Sequence, residues 1–290
     1  MLWALLGLGT AFSESLKGAV TKVAALKNDS WTVGFYSRST AASLLLITVL
    51  LSGQYFVINA RFLWAFGISL TINAITSYLY IDVLRHADIS HVMPLVTLSP
   101  VFMLVTGPLI NNEWPTWLGA VGVLLTVFGT MVAHAQRAHR SPLDPLRELA
   151  KIPGTRQMLL VAFLWSVSSP FDKIAAQAST PLWYVVSMNA GLALVFYIAM
   201  RITRQRHASS HERPALLPVM SIGFFEAIIG AFQITAITLA PVTYVIALKR
   251  ASVLFSMAWA RLFFHETNIG KRAIGALITF VGLLCILFAR

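Results

Sequence analysis

The sequence predicts an all-α integral membrane protein whose ten transmembrane helices form two inverted five-helix repeats. Three observations carry that prediction. Hydrophobic residues make up 57% of the chain and charged residues 11%, at a mean hydropathy of +0.74, whereas soluble domains hold about 25% charged residues. Apolar runs close to the ~20 residues that a helix needs to cross a bilayer recur from end to end. One stretch is also written twice. DISHVMPLVTLSPVFMLVTGPLINNE, from Asp88 to Glu113, lines up with PVTYVIALKRASVLFSMAWARLFFHE, from Pro241 to Glu266, so that Ser99 meets Ser252, Phe102 meets Phe255 and Glu113 meets Glu266.

Spans are expected near Leu2 to Ala24, Trp31 to Leu51, Phe62 to Leu84, Ile89 to Ile110 and Trp114 to His134. The second set is expected near Met158 to Ala178, Leu182 to Ile202, Leu216 to Leu239, Val242 to Phe264 and Lys271 to Ala289. Asp88 and Pro241 mark tight turns between helices three and four and between eight and nine. The first run starts at Leu2 without a basic lead-in, as expected of a retained helix in a chain that begins at Met1. The constant offset also pairs Asn73 with Glu226, Ser77 with Gly230, Tyr80 with Gln233, Gly122 with Gly275 and Gly129 with Gly282. A slightly different offset pairs Thr10 with Ser166, Lys17 with Lys173 and Thr21 with Gln177. The repeat unit is therefore five helices. Five is odd, so the second copy must enter the membrane from the opposite side, and inverted copies of this kind bracket a central site. The expected division is 1–134, a basic linker over 135–157, and 158–290. In the linker Leu143, Leu146, Leu149 and Ile152 recur every three residues, as in a short helix lying on a membrane surface; a flexible basic connection is the other reading.

The formal charge of +11 does not indicate nucleic acid, because the cations sit in connections between apolar runs. Connections after odd-numbered helices hold Lys22, Lys27, Arg85, Arg137, Arg140 and their second-half counterparts, whereas the other side holds Arg61 and Arg290. The positive-inside rule puts the odd connections in the cytoplasm and both termini outside. Cys285 is the single cysteine, so neither an intrachain disulfide nor a cysteine metal cluster is expected, and no cofactor is implied.

The residues that could carry chemistry are polar stripes inside apolar helices. At 3.6 residues per turn Thr10, Glu14, Lys17 and Thr21 share one face of helix one, and Ser166, Ser169, Lys173 and Gln177 nearly share one of helix six. Helix three carries Asn73, Ser77 and Tyr80; helix eight carries Glu226, Gly230 and Gln233; helix nine carries Lys249, Ser252 and Ser256. An ionised side chain at mid-bilayer costs about 2.5 to 3.5 kcal/mol even on insertion scales, so Glu14, Lys17, Asp172, Lys173, Glu226, Lys249 and Arg250 need partners or water. Glu14 and Lys17 are spaced to pair along their own helix, and Glu226 is placed to meet Lys249 or Arg250. Cations outnumber anions in this set, which suits an anionic substrate group. The expected substrate-binding set is Lys17, Lys173, Lys249 and Arg250 with Asn73, Tyr80, Gln233 and Ser252; the expected coupling residues are Glu226 and Glu14. For the neutral members, hydrogen bonding between helices is the competing reading; for Lys17, Lys173 and Arg250 it is snorkelling, and for Glu226 a static ion pair.

The repeated glycines lie seven residues apart on one face, so helices five and ten should pack together or against a second copy of the chain. Glu113 and Glu266 stand just before helices five and ten, where capping is the expected role and a gate the alternative. Pro94 and Pro100 should bend helix four, while Ala247 and Val253 leave helix nine straighter. Arg38 has no ion that the sequence identifies as its partner.

WSVSSPFDKIA at Trp165 to Ala175, YVIALKRASVLFS at Tyr244 to Ser256, HE at His265 to Glu266 and the repeated Gly275 to Gly282 spacing together resemble the drug/metabolite transporter superfamily, specifically its EamA-type members. The resemblance covers essentially the whole chain. It implies alternating access through a central cavity, often proton-coupled or by exchange, and it makes Glu113 and Glu266 family landmarks. It says little about substrate, since similar proteins move amino acids, nucleotide sugars, phosphorylated sugars or drugs. Many similar proteins keep both termini in the cytoplasm, opposite to the charge count, and many lack the double cation of helix nine. The expected protein is a secondary transporter of a bacterial inner membrane that exports a small polar or anionic metabolite, and not an enzyme. Its partners are that substrate and the lipid bilayer, with a homodimer as one use of the glycine face. A lipid-headgroup flippase is the alternative. A membrane transferase would need clustered carboxylates for a metal and diphosphate, and the intramembrane acids here are single and on different helices.

Overall fold

The computed structural model describes residues 1–27, 30–86, 94–134, 154–206, 216–264 and 270–289. Among the described residues ten helices follow one another: α1 (Leu2–Lys27), α2 (Ser30–Ser52), α3 (Ala60–His86), α4 (Ser99–Asn111), α5 (Trp117–His134), α6 (Thr155–Ala178), α7 (Pro181–Arg206), α8 (Leu216–Leu239), α9 in two pieces (Val242–Leu248 and Ser252–Phe264) and α10 (Gly270–Phe288). No strand occurs among the described residues. Seven of these helices are long and apolar enough to cross a bilayer, and α5 and α10 contain shorter apolar stretches. α1 has the length, but Thr10, Ser13, Glu14, Ser15 and Lys17 dilute its hydropathy. The linker 135–153, with its proposed surface helix, and the turn at Asp88 lie outside the described residues, as do His265 and Glu266.

The glycine face that the sequence marks on helices five and ten is a packing face. α5 and α10 touch backbone to backbone. A Cβ on Gly129 would stand 2.7 Å from the Gly275 carbonyl oxygen, and one on Gly282 would stand 2.7 Å from that of Gly122. The glycine face is thus occupied within the chain, and a second copy cannot use it. α1 packs on α8 and α6 on α3; α1 also packs on α9 and α6 on α4; α2 lies against α7. Exchanging the first five helices for the last five maps this set of contacts onto itself.

Helices four and nine are both interrupted, at positions that match in the repeat. Pro100 lies in the first turn of α4, after a separate turn at Pro94–Val96, and Thr97 and Leu98 bond back to Pro94 and Leu95 at 3.1 Å each. The expectation of a straighter helix nine is corrected: without any proline, α9 changes to a 3-10 turn at Lys249–Ala251. A turn wound i to i+3 is tighter than the α-helix on either side, and here it carries both cations.

One end of the bundle is stitched shut. The connections 53–59, 112–116, 179–180 and 240–241 lie together there: Asn59 Nδ2 donates to the Ala178 carbonyl at 2.7 Å, Trp183 Nε1 to that of Gln54 at 2.9 Å, and the Val242 amide to Glu113 Oε2 at 2.9 Å. Below them a continuous apolar core joins Leu45, Phe62, Met103, Tyr184, Ile237 and Val245. α4 meets α9 through the Val242–Leu248 piece, with Thr243 Oγ1 donating to the Met103 carbonyl at 3.1 Å, whereas Ser252–Phe264 packs against α1.

Candidate functional site

At mid-bundle the polar stripes of five helices meet in one ionic network. Glu14 and Lys17 pair along α1 at 2.8 Å, as their spacing predicted. Lys17 also reaches Glu226 of α8 at 3.1 Å, and the other oxygen of Glu226 takes Arg38 of α2 at 3.0 Å. Lys249 of α9 lies 3.2 Å from Glu14 and donates to Gln233 Oε1 at 3.1 Å. Arg38 also donates to Asn189 of α7 at 3.2 Å. The ionic side chains are 17 to 27% exposed, so the network is reachable rather than sealed. The expectation that Glu226 meets Lys249 or Arg250 is corrected. Its partners are Lys17 and Arg38, because α8 packs on α1 and α2 and turns Glu226 between them.

Arg250 has no carboxylate partner among the described residues. Its Nη2 donates to the Val96 carbonyl at 3.2 Å and to Ser99 Oγ at 2.9 Å, and its Nε is buried without a hydrogen-bond partner. The Val96 carbonyl is available because the residue four positions on is Pro100, which has no N–H to give it. Tyr80 of α3 packs its ring 5.7 Å from that of Trp165. Ser252 begins the second piece of α9 and is half-buried. Counting charges, Lys17, Arg38 and Lys249 share two carboxylates, and Arg250 adds a fourth cation.

Two members of the expected binding set stand elsewhere. Lys173 of α6 is buried toward the stitched end, where it forms an ion pair with Glu113 and donates to the Ala240 carbonyl at 2.7 Å. Glu113 therefore caps α9 through the Val242 amide, not the helix that follows it, because the connections after α4 and α8 lie side by side. Asn73 donates to Ser168 Oγ at 2.6 Å and to Ser69 Oγ at 3.0 Å, beside Asp172 of α6. The buried Asp172 Oδ1 also accepts from Tyr184 at 2.6 Å and from Ser69. Sequence reasoning missed Ser69 and Tyr184. Ser69 lies one turn before Asn73 and extends its stripe, a legible signal; Tyr184 sits in the first turn of α7 with none. Among the described residues no group of three or more His, Cys, Asp or Glu side chains could hold a metal ion.

The sequence profile of the EamA-like transporter family matches residues 1–134 and again 153–288. No curated protein matches. A solved structure described as the crystal structure of a protein is similar to this chain at a TM-score of 0.78, with 16% identity, over 99% of this chain and 98% of its own; at that identity the likeness shows the fold alone. The doubled profile match and the spans apolar enough to cross a bilayer lead to one statement: this chain belongs to the EamA-like transporter family and is an integral, multi-pass membrane protein.

Proposed function

We propose that the protein is a secondary transporter of a small metabolite bearing a carboxylate or phosphate, bound at mid-membrane by Lys17, Lys249 and Arg250 with Tyr80, Gln233 and Ser252 around it. The observation that carries this reading is the uncompensated charge: three cations share two carboxylates in one partly exposed network, and Arg250, next to Lys249 in the chain, adds a guanidinium with no carboxylate partner among the described residues and an Nε without a hydrogen-bond partner. Cations at that depth require counter-charge. An anionic ligand supplies it, and when the ligand leaves, Glu14 and Glu226 hold the ammonium groups between them. Competition between substrate and glutamates is a route to exchange, because the glutamates partner the ammonium groups while the ligand-free site reorients.

The two halves, 1–134 and 158–290, act in this reading as inverted repeats that rock about the site. The helix pairing, unchanged when the halves are exchanged, supports it. The stitched end is the closed side, barred by Lys173, Glu113 and the α9 cap, so Lys173 serves closure rather than binding. The charge count puts that end outside a bacterial inner membrane and makes this the state that loads from the cytoplasm for export.

The test is a thermal-shift titration of the detergent-purified chain with short carboxylates and phosphate esters, each beside its neutral amide or alcohol. A ligand that binds only the folded state raises its stability by RT ln(1 + [L]/Kd), about 2.7 kcal/mol at 100 times Kd. Anions should stabilise the parent, and Lys249→Ala and Arg250→Ala should each weaken that response about tenfold in ligand concentration. Equal stabilisation by the neutral analogues, or variants that respond as the parent does, would remove the basis of the reading.

A further inference from the structure

Among the described residues one acid outside the central network remains unassigned. Asp172 stands six residues before Ala178, the last residue of α6, or roughly 9 Å of helix rise from that end, and it is 9% exposed. Among the described residues no cation is paired with it. Lys173, next in the chain, is turned to Glu113 and the Ala240 carbonyl. Instead hydroxyls converge on Asp172 Oδ1: Tyr184 at 2.6 Å, Ser168 at 3.4 Å, and Ser69. Asn73 donates to both serines, at 2.6 Å to Ser168 and 3.0 Å to Ser69. Each serine therefore accepts from the amide and has its own proton free to give to the carboxylate.

The chemistry of those partners distinguishes this acid from the other two. Ammonium and guanidinium groups are donors only; Glu14 and Glu226, surrounded by Lys17, Arg38 and Lys249, are matched as carboxylates and in no other form. A hydroxyl donates and accepts. The ring of hydroxyls around Asp172 can donate to a carboxylate or, after rotation about a C–O bond, accept from a carboxylic acid, so both protonation states are satisfied without displacing a heavy atom. Of the elements packed on α6, α7 presents Tyr184, the one titratable group against the carboxylate among the described residues, and α3 presents the neutral Ser69 and Asn73. Glu113, after α4, is held by Lys173, while α8 and α9 direct Glu226, Lys249 and Arg250 to the central network or to α4.

We propose that Asp172 is a proton-binding site. One O–H bond forms at its carboxylate with a proton from the aqueous phase and breaks on release; no other bond changes. The site joins helices of both halves, α3 with α6 and α7, so its protonation state bears on the seam that must move if the halves rock. Use of the proton in transport rests on the transporter reading above; proton uptake itself does not.

Infrared difference spectra of the full chain in detergent, recorded over a pH series without substrate, test it. A carboxylic-acid carbonyl band should grow on acidification, shift in heavy water, vanish in Asp172→Asn and persist in Glu226→Gln. Tyr184→Phe keeps the acid, removes one donor, and should change the pH at which the band appears; it decides the matter if Asp172→Asn does not fold. A band that survives Asp172→Asn, the lack of any titrating band in the parent, or an unchanged pH dependence in Tyr184→Phe would each overturn the assignment. So would a pH dependence that moves when sodium replaces potassium, which would mark an alkali-cation site instead. None of these outcomes depends on whether an anionic substrate binds at Lys249 and Arg250.

Discussion

Arg250 is expected to have two separable roles, and a double-mutant cycle with Pro100 isolates one of them. Pro100 leaves the Val96 carbonyl without its helical donor, and Arg250 Nη2 fills the vacancy at 3.2 Å. Val96 is 9% exposed and Ser99 2%, so Arg250→Ala strands a buried acceptor, at a cost of about 1 to 3 kcal/mol. Pro100→Ala returns an amide N–H four residues after Val96, whose hydrogen bond contributes about 0.5 to 1.5 kcal/mol net. In the Pro100→Ala background the loss caused by Arg250→Ala should therefore shrink by about 1 kcal/mol. The assay is denaturant unfolding in mixed micelles of the parent, both single variants and the double variant. Independent sites add to within about 0.5 kcal/mol; additivity inside that margin would refute the idea that Arg250 substitutes for a missing backbone donor. The response to anionic ligands should be weakened to the same extent in both Arg250→Ala chains whatever residue 100 is, since the ligand role does not pass through Val96.

Other consequences can be checked on the same purified chain. Glu113→Gln keeps an oxygen for the Val242 amide but leaves Lys173, 10% exposed at its side chain, without counter-charge; breaking a buried pair this way costs about 3 to 5 kcal/mol. Glu113→Ala removes the cap as well and should lose about a further 1 kcal/mol, so unfolding midpoints in the order parent, Gln, Ala test the double role. In Gly275→Ala the new Cβ would stand 2.3 Å from the Ala133 amide nitrogen and 2.6 Å from the Gly129 carbonyl oxygen. Backbone cannot yield there as a side chain would, so the overpacking cost of about 1 to 3 kcal/mol should outweigh the gain of about 1 kcal/mol in helix propensity. Gly18→Ala, which meets nothing within 4 Å, should be neutral or slightly stabilising. Equal melting of the two alanine variants would mean that α5 and α10 are not in backbone contact.

Most of the helices were legible from apolar run length, and the glycine faces of α5 and α10 from their spacing, because both depend on local composition and on a period that any helix imposes. The polar stripes were legible for the same reason: Lys17 and Glu14 pair at the spacing that puts them on one face. Partner choice was not. Glu226 takes Lys17 and Arg38, and Glu113 caps α9 from a position before α5; both outcomes depend on which helices stand side by side, a property of interhelix packing that no single helix encodes. Lys17 and Lys173 show the limit well. They match in the repeat, yet one joins the central network and the other pairs with Glu113 at the stitched end, because the groups around them have diverged.

By itself the sequence determined that the chain lives in a membrane, that its fold is written twice, and that charge is buried where an apolar solvent would reject it, since hydropathy and periodicity are local sums over residues. The tertiary structure decided which charges meet. It gathered three cations around two glutamates, gave the Val96 carbonyl to Arg250, and left Asp172 among hydroxyls. Those distinctions come from contacts between residues far apart in the chain, and it is the contacts, through hydrogen-bond donors, acceptors and distance, that give side chains of one type different surroundings.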